Sequence, residues 1–260
     1  MNTFQLYFIL DELFIFQYQI LNMKCFVVFL SLCFSVNINA QNKMSSQDIL
    51  NKSIDFHDPK GKLASGDYTF HFEESRPDGS IRKTLTRFAP AKERFDIISF
   101  RKQHKVTYQI NKGVVQILLD DKSDYNEEEA KELRLNKERA SMMKNYYLYL
   151  WHLPMKLNDA GTLIDEIYKE KTFNNHECYE LRITYDSAVG DDIWYFYFDK
   201  NDYQMRGYRF YHDESKNDGE FINIEGLTEY KGIKIPSKRD WYTHKEDKFL
   251  GSDKLVKISK

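Results

Sequence analysis

Short runs of alternating apolar and polar side chains, separated by turn residues, constrain the fold of this chain more than any other feature. Residues 68–73 place aromatic side chains at every second position, with polar ones between them. This period of two is expected of a strand that has one face buried. The Arg-Pro-Asp-Gly sequence at residues 76–79 is typical of a turn, and another run follows it. The pattern predicts antiparallel strands joined by tight turns.

The same succession continues along the chain and predicts about 11–12 strands in two meanders. The strands predicted for the first meander are 68–73, 81–88, 94–100, 105–110 and 114–119. Those predicted for the second are 163–171, 177–186, 193–199, 204–211, 220–230, 233–244 and a last one near 254–258. The predicted fold class is therefore mainly β.

Two segments have helical periodicity instead. Residues 46–57 follow a hydroxyl side chain suited to capping and carry a short apolar stripe, which predicts a short amphipathic helix. From about residue 124 to Leu150, apolar side chains recur at near-helical spacing after three consecutive glutamates, which predicts the one long helix. Pro154 ends it, because proline cannot continue the backbone hydrogen-bond ladder.

The run Trp-Tyr-Phe-Tyr-Phe at residues 194–198 is unusual because both of its predicted faces are apolar. An antiparallel sheet with one face in water normally keeps that face polar. We therefore expect this strand to be covered on both sides, by the long helix on one of them. Two interpretations stay open: a tyrosine face whose hydroxyls reach water, or a sheet curved around an apolar cavity.

The segment that begins at Met23 has the layout of a signal peptide. Lys24 supplies a short positive region, residues 25–36 form an apolar core, and Ala40 places a small residue before Gln41. The sequence therefore predicts export, with cleavage between Ala40 and Gln41. An uncleaved N-terminal anchor is the alternative.

Residues 1–22 are apolar, but Asp11 and Glu12 interrupt them, so they fit a membrane span poorly. We interpret them as upstream sequence that precedes the true start of translation. A lipid anchor on Cys33 is disfavoured, because Leu32 before it is not a small residue and the cysteine lies inside the apolar core. These assignments leave residues 41–260 as a single domain.

The composition is that of an ordinary folded domain. The formal net charge of −2 offers no basic field for nucleic acid, and aromatic residues make up 15% of the chain, which provides ample apolar surface to bury. After cleavage Cys178 is the single cysteine left, which excludes an internal disulfide. His176 lies two residues away and could activate a thiolate, but a buried structural cysteine is the favoured interpretation.

The sequence lacks the motifs of several common enzyme classes. It has no glycine-rich phosphate loop, no Gly-x-Ser-x-Gly elbow, no His-Glu-x-x-His and no paired cysteines at zinc spacing, so no cofactor and no metal are predicted. His152, at the end of the predicted long helix, is interpreted as a cap of helix carbonyls, with a place facing a hollow as the alternative. Asp191 and Asp192 could bind a hard cation, although a solvated loop is favoured.

Three stretches carry a resemblance to a known family. They read Leu-Trp-His-Leu-Pro-Met-Lys-Leu-Asn-Asp-Ala-Gly-Thr at residues 150–162, Trp-Tyr-Phe-Tyr-Phe-Asp at 194–199 and Leu-Thr-Glu-Tyr-Lys-Gly-Ile-Lys-Ile-Pro at 227–236. With the order of elements, they resemble an uncharacterised family of exported Gram-negative bacterial proteins, which is similar in turn to the periplasmic lipoprotein-carrier (LolA/LolB-like) fold. The resemblance covers most of residues 46–260. It implies a strongly curved antiparallel sheet, an open half-barrel covered by helices on its concave side.

In the carriers that hollow accepts acyl chains, so the resemblance implies a non-catalytic binding protein of the periplasm or outer envelope. Its partner would be a hydrophobic small molecule, a lipid or a lipoprotein, with peripheral membrane contact and oligomeric state left open. The candidate cavity residues, chosen on aromaticity and strand parity, are Trp194, Phe196, Phe198, Tyr208, Phe210, Tyr147 and Trp151. One alternative is a solidly packed structural or interaction module of the envelope. The weakest is a hydrolase with a dispersed site around His152, Asp191 and Asp192.

Overall fold

The computed structural model of the protein describes residues 44–101 and 103–260. The predicted signal peptide, its cleavage between Ala40 and Gln41, and the upstream segment before Met23 lie outside the described residues. The described domain begins at Met44.

Thirteen antiparallel strands of the described residues form one sheet that is not closed into a barrel. They are β1 Tyr68–Ser75, β2 Ile81–Ala89, β3 Arg94–Arg101, β4 His104–Asn111, β5 Val114–Leu119, β6 Thr162–Ile164, β7 Lys169–Phe173, β8 His176–Tyr185, β9 Ile193–Asp199, β10 Met205–Tyr211, β11 Glu220–Tyr230, β12 Ile233–Thr243 and β13 Phe249–Ser259. The order is β5-β4-β3-β2-β1-β13-β12-β11-β10-β9-β8-β6, and β7 also pairs with β8. The pairing of β1 with β13 joins the two predicted meanders into one sheet, so the predicted mainly β class with an unclosed sheet is confirmed.

The strand count exceeds the predicted 11–12 because residues 163–171 do not form a single strand. Ile164 pairs with Ile183, whereas Lys169 pairs with Glu180 on the same strand. The chain thus takes five residues to pass three residues of β8, so continuous pairing is broken and β6 and β7 are separate. Strand β13 is also longer than predicted, since it begins at Phe249.

The described residues include three α-helices: α1 Ser46–His57, α2 Glu127–Glu132 and α3 Lys137–Trp151. Helix α1 agrees with the prediction, and the side chain of Ser45 accepts a hydrogen bond from the backbone of Asp48 in a capping box. The long helix predicted from residue 124 is interrupted, because Arg134 adopts a left-handed conformation with φ of 55°. Asn136 then caps a new helix by accepting a hydrogen bond from the Arg139 backbone. None of the described helices is long and apolar enough to cross a membrane.

Helix α3 packs on one face of the sheet, near the middle of the sheet; this face, which carries Phe72 of β1, is called the inner face. The ring of Phe72 on β1 lies 4.4 Å from that of Trp151 and 5.2 Å from that of Tyr147. Tyr147 also donates a hydrogen bond of 2.8 Å to the buried carboxylate of Glu74. Helix α1 is held against β12 and β10 through His57, which bonds the backbone of both strands. The inner face is therefore a filled aromatic core.

A small aromatic cluster covers the outer face of the strand that contains residues 194–198. Phe173 of β7 stacks on Tyr197 at 4.0 Å, and the Tyr197 hydroxyl donates to the buried Glu180. The guanidinium of Arg209 lies 5.5 Å from the Tyr197 ring. The hydroxyl of Tyr195, on the same face, donates to Glu214, so both tyrosine hydroxyls bond protein carboxylates and the strand is covered on both sides.

Gly207 leaves the space that this cluster needs, which gives a testable prediction. A β-carbon at this position would lie 2.3 Å from Cε1 of Phe173 and 2.4 Å from the carbonyl oxygen of Ile222. We expect Gly207→Ala to lower the free energy of unfolding by about 1–3 kcal/mol through overpacking, as measured by urea titration. Gly190→Ala, where a β-carbon meets nothing within 4 Å, is the control and should change it by less than about 0.5 kcal/mol. Equal effects of the two substitutions would contradict the explanation.

Candidate functional site

A cleft of about 420 Å³ opens between the second half of α3, the segment that follows it, the end of β8 and the start of β9. Its apolar or aromatic lining residues are Leu148, Tyr149, Ala160, Tyr185, Val189 and Trp194. Its polar lining residues are Asn145, Lys156, Asp159, Thr162 and Asp192. Gly190 also lines it. The volume is within the range of about 300–1,000 Å³ that is typical of small-molecule sites, and such sites also combine apolar and polar lining residues.

The aromatic wall of the cleft is built by three rings from α3, β8 and β9. Tyr149 meets Trp194 edge to face at 5.5 Å and Tyr185 at 6.2 Å. The two tyrosine hydroxyls bond each other. Burial raises the pKa of Tyr185 to about 12 and holds the pKa of Tyr149 well above its usual value. Both phenols therefore stay protonated, and the wall carries no charge at neutral pH.

The mouth of the cleft combines an exposed apolar residue with charged ones. Val189 is 61% exposed in the loop between β8 and β9. Lys156 pairs with Asp159 on one side of the opening. On the other, Asp192 accepts a hydrogen bond of 2.7 Å from Nδ1 of His212, and this bond raises the pKa of that histidine. An apolar wall with a charged rim suits a ligand that has an apolar body and a polar end.

The structure separates the seven predicted cavity residues into two groups. Trp194 lines the cleft, and Phe210 stacks on it at 4.8 Å. The other five are buried in the packed interior: Tyr147, Trp151, Phe196, Phe198 and Tyr208. Phe196 links the groups, since its ring stacks at 5.9 Å on that of Trp194 and lies 5.7 Å from that of Tyr208. A continuous aromatic layer thus runs from the cleft into the core, and ligand binding by its members stays a prediction.

The model of DUF6503, a family of unknown function, matches residues 23–257. The chain belongs to the DUF6503 family. A search of curated proteins gives no match.

Solved structures similar to this DUF6503 protein include three at 8–11% sequence identity. A LolA superfamily protein from Nitrosomonas europaea is 10% identical at a TM-score of 0.47, over 83% of this chain and 93% of that one. A putative outer membrane lipoprotein-sorting protein domain from Vibrio parahaemolyticus is 8% identical at 0.43, over 81% and 91%. A DUF1329 family protein from Desulfovibrio piger is 11% identical at 0.40, over 82% and 91%.

In the DUF6503 chain, His152 is the C-cap residue of helix α3, and its side chain pairs with no carboxylate of the described residues. Its ring packs edge-on against Phe70 at 5.8 Å and Phe88 at 4.8 Å, and neither nitrogen has a hydrogen-bond partner. Burial lowers its pKa to about 4, so the ring is neutral. The side chain is part of the core, beside the backbone of Leu148 and Tyr147 at the end of α3, and the capping role stays a prediction. Asp192 bonds His212 instead, so the dispersed site predicted around His152, Asp191 and Asp192 is not assembled.

Cys178 and His176, the other residues considered for chemistry, have structural roles. Cys178 is fully buried, and burial raises its thiol pKa to about 12, which leaves too little thiolate for a nucleophile at neutral pH. His176 bonds Asp199 at 3.2 Å. Among residues 44–101 and 103–260, no three His, Cys, Asp or Glu side chains are grouped so as to hold a metal ion.

Sequence reasoning missed Tyr149, Tyr185 and Val189 of the cleft. Tyr149 lies within the predicted long helix but outside its apolar stripe, whose core-facing members here are Tyr147 and Leu150. Val189 carried the usable signal, because it is an apolar residue in a loop of Asp, Ser and Gly where a solvated side chain is expected.

Proposed function

We propose that this protein is an exported, non-catalytic binding protein of the periplasm or outer envelope. Its ligand is amphiphilic, a lipid or the acyl chain of a lipoprotein. The apolar part lies in the cleft against Trp194, and the polar end reaches the charged rim at Lys156 and Asp192. The single observation that supports this is the uncharged wall of Tyr149, Tyr185 and Trp194 beside about 420 Å³ of open space.

The energetics favour an acyl chain as the apolar part. Each methylene group removed from water contributes about 0.8 kcal/mol, so a few methylenes on the wall give measurable affinity. The half-buried ring of Trp194 already packs on Phe210 and Phe196 and needs no rearrangement to receive a chain. Behind Trp194 the aromatic layer continues into the core through Phe196 and Tyr208, which supports the wall from behind.

A substitution at the mouth of the cleft tests the proposal without disturbing the core. Val189→Asp places a carboxylate where the apolar chain would enter. We expect it to weaken binding of a fluorescent fatty acid at least tenfold, a change of about 1.4 kcal/mol, in a direct titration of residues 41–260. Val256→Asp is the matched control, since Val256 is 50% exposed on β13 and away from the cleft.

Equal affinities of the two variants would exclude this cleft as the site. Native mass spectrometry of protein purified from an envelope fraction without detergent complements the titration. A lipid mass that co-purifies with the wild type and is reduced by Val189→Asp would support the carrier role and identify the ligand class.

The second candidate function is a packed structural module of the envelope, and the filled interior favours it. Phe196, Phe198 and Tyr208, three of the predicted cavity residues, are completely buried. A wild-type protein that carries no lipid, and that binds neither the fatty acid nor a hydrophobic dye, would exclude the carrier role and favour the module.

A further inference from the structure

Five arginines surround a second cleft of about 390 Å³, at the other end of α3 from Trp194. They come from four separate parts of the chain: Arg76 follows β1, Arg82 is in β2, Arg101 ends β3, and Arg134 and Arg139 flank the start of α3. The acidic residues in the same lining are Glu74 and Glu132. Positive charge therefore exceeds negative charge in the lining by three.

Two of the five arginines have carboxylate partners. Arg82 donates two hydrogen bonds, of 2.6 and 2.8 Å, to the carboxylate of Glu74. Glu74 also accepts from Thr84 and Tyr147, so its oxygens are engaged. Arg76 lies 3.7 Å from a carboxylate oxygen of Asp253. These contacts account for the charges of Arg76 and Arg82.

The other three arginines make no ion pair with any carboxylate of the described residues. Arg101 donates from Nη1 to the carbonyl oxygen of Leu133 at 3.0 Å, but its Nε and Nη2 are buried without a partner. The Nε of Arg139 is likewise buried without a partner. Arg134 is exposed at the same lining. Burial and the nearby Arg101 both lower the pKa of Arg139.

Such an arrangement is costly unless something neutralises it. A buried donor without an acceptor costs about 1–3 kcal/mol, and like charges in one partly buried cleft repel each other. Arginine stays protonated in proteins, so the cluster cannot relieve the repulsion by losing a proton. A multivalent anion would satisfy the free donors and offset the charge together, because guanidinium groups match phosphate oxygens in charge and geometry.

We propose that this cleft binds a phosphate group through Arg101, Arg134 and Arg139. A phosphate offers several acceptor oxygens and close to two negative charges, which suits three unpaired guanidiniums better than a single carboxylate does. Phe100 and Ile81, 45% and 64% exposed, line the same cleft and give the carbon skeleton of an organic phosphate an apolar surface. The phosphate could belong to a lipid headgroup or to a soluble compound. This site does not depend on the role proposed for the cleft at Trp194.

The test measures binding of inorganic phosphate, glycerol phosphate and vesicles containing phosphatidic acid, at matched ionic strength. Phosphatidylcholine vesicles and chloride are the references. We expect phosphate compounds to raise the midpoint of thermal unfolding of the wild-type mature chain. We expect the double variant Arg101→Gln/Arg139→Gln to weaken binding at least tenfold. Arg182→Gln, which alters a half-exposed arginine paired with Asp165, is the matched control and should bind as the wild type does.

The outcomes distinguish a soluble phosphate from a lipid headgroup, and the arginine cleft from the cleft at Trp194. Saturable binding of glycerol phosphate assigns the cleft to soluble phosphates, whereas binding confined to phosphatidic acid vesicles assigns it to a lipid headgroup. The double variant should keep its thermal midpoint in chloride, since it removes like-charge repulsion, and Val189→Asp should leave phosphate binding unchanged. The proposal is overturned if the wild-type protein binds none of the three probes. It is also overturned if the double variant is folded and binds them as tightly as the wild type does.

Discussion

Arg239→Ala is expected to lower the free energy of unfolding by about 3–5 kcal/mol, because it removes a buried cation that fastens helix α3 to the sheet. Arg239 is on β12 and is completely buried. Its guanidinium lies 3.8 Å from the ring centre of Trp151, and its Nη2 donates a hydrogen bond of 2.8 Å to the carbonyl oxygen of Leu150. Alanine would lose the stacking, leave that carbonyl unpaired and open a cavity.

Urea titration of the wild type and of two variants measures the effect and its origin. Arg239→Lys keeps the charge but not the planar group, so we expect it to lose most of the same stability. Full stability of the lysine variant would show that charge alone matters and would contradict the stacking argument. A loss below about 1 kcal/mol for Arg239→Ala would show that α3 is held by its other contacts.

This contact matters for both proposed sites, because α3 contributes to each of them. Tyr149, next to Leu150 near the end of α3, forms one wall of the cleft at Trp194. Arg139, in the first turn, lines the arginine cleft. A loosened α3 in Arg239→Ala should therefore weaken ligand binding at Trp194 even in the absence of urea, where the protein remains folded. The helix acts as the shared support of two clefts at its opposite ends.

The fold was largely predictable because its information is local. Alternation and turn residues locate nearly every strand, and Ser45 with Asp48 marks the start of α1. The interruption of the long helix was not predicted, since the stripe of apolar residues continues through it. Asn136 causes the break, because asparagine is more favourable as the N-cap of α3 than in the interior of a continuous helix. The separation of β6 from β7 depends on pairing with β8, which no local pattern contains.

The sites were less predictable because they form from distant residues. Trp194 was found through its aromatic strand, but aromaticity alone could not distinguish it from Phe196 or Phe198, which the fold buries. The arginine cleft has no signal in the sequence: its members are brought together by the pairing of β1 with β2 and β2 with β3 and by the break before α3. Charge clusters of this kind become visible only once the sheet register is known.

Acidification is the second change with a large expected effect, since two buried histidines are neutral in the folded protein. His57 donates from Nδ1 to the carbonyl oxygen of Lys234 at 2.6 Å, and its Nε2 accepts from the backbone of Met205 at 3.2 Å. A proton on Nε2 would break the second bond. Burial lowers the pKa of His57 to about 4, as it does for His152.

The sign of the effect is set by proton binding. Between the ordinary histidine pKa of 6.5 and about 4, the unfolded chain binds protons at both positions and the folded protein does not. The stability that the neutral rings provide is thus complete above pH 6.5, is lost as the pH falls toward 4, and changes little below that value. Each histidine should contribute a loss of about 3 kcal/mol over this window.

Urea titrations at pH 7.5 and pH 4.5 of the wild type and of His57→Gln/His152→Phe test this expectation. Glutamine can keep both hydrogen bonds of His57 without titrating, and phenylalanine suits the ring packing between Phe70 and Phe88. We expect the double variant to lose several kcal/mol less than the wild type between the two pH values, because the two histidines whose pKa values burial lowers to about 4 are then absent. An equal loss in both proteins would mean that the two rings take up protons in the folded state as readily as in the unfolded chain.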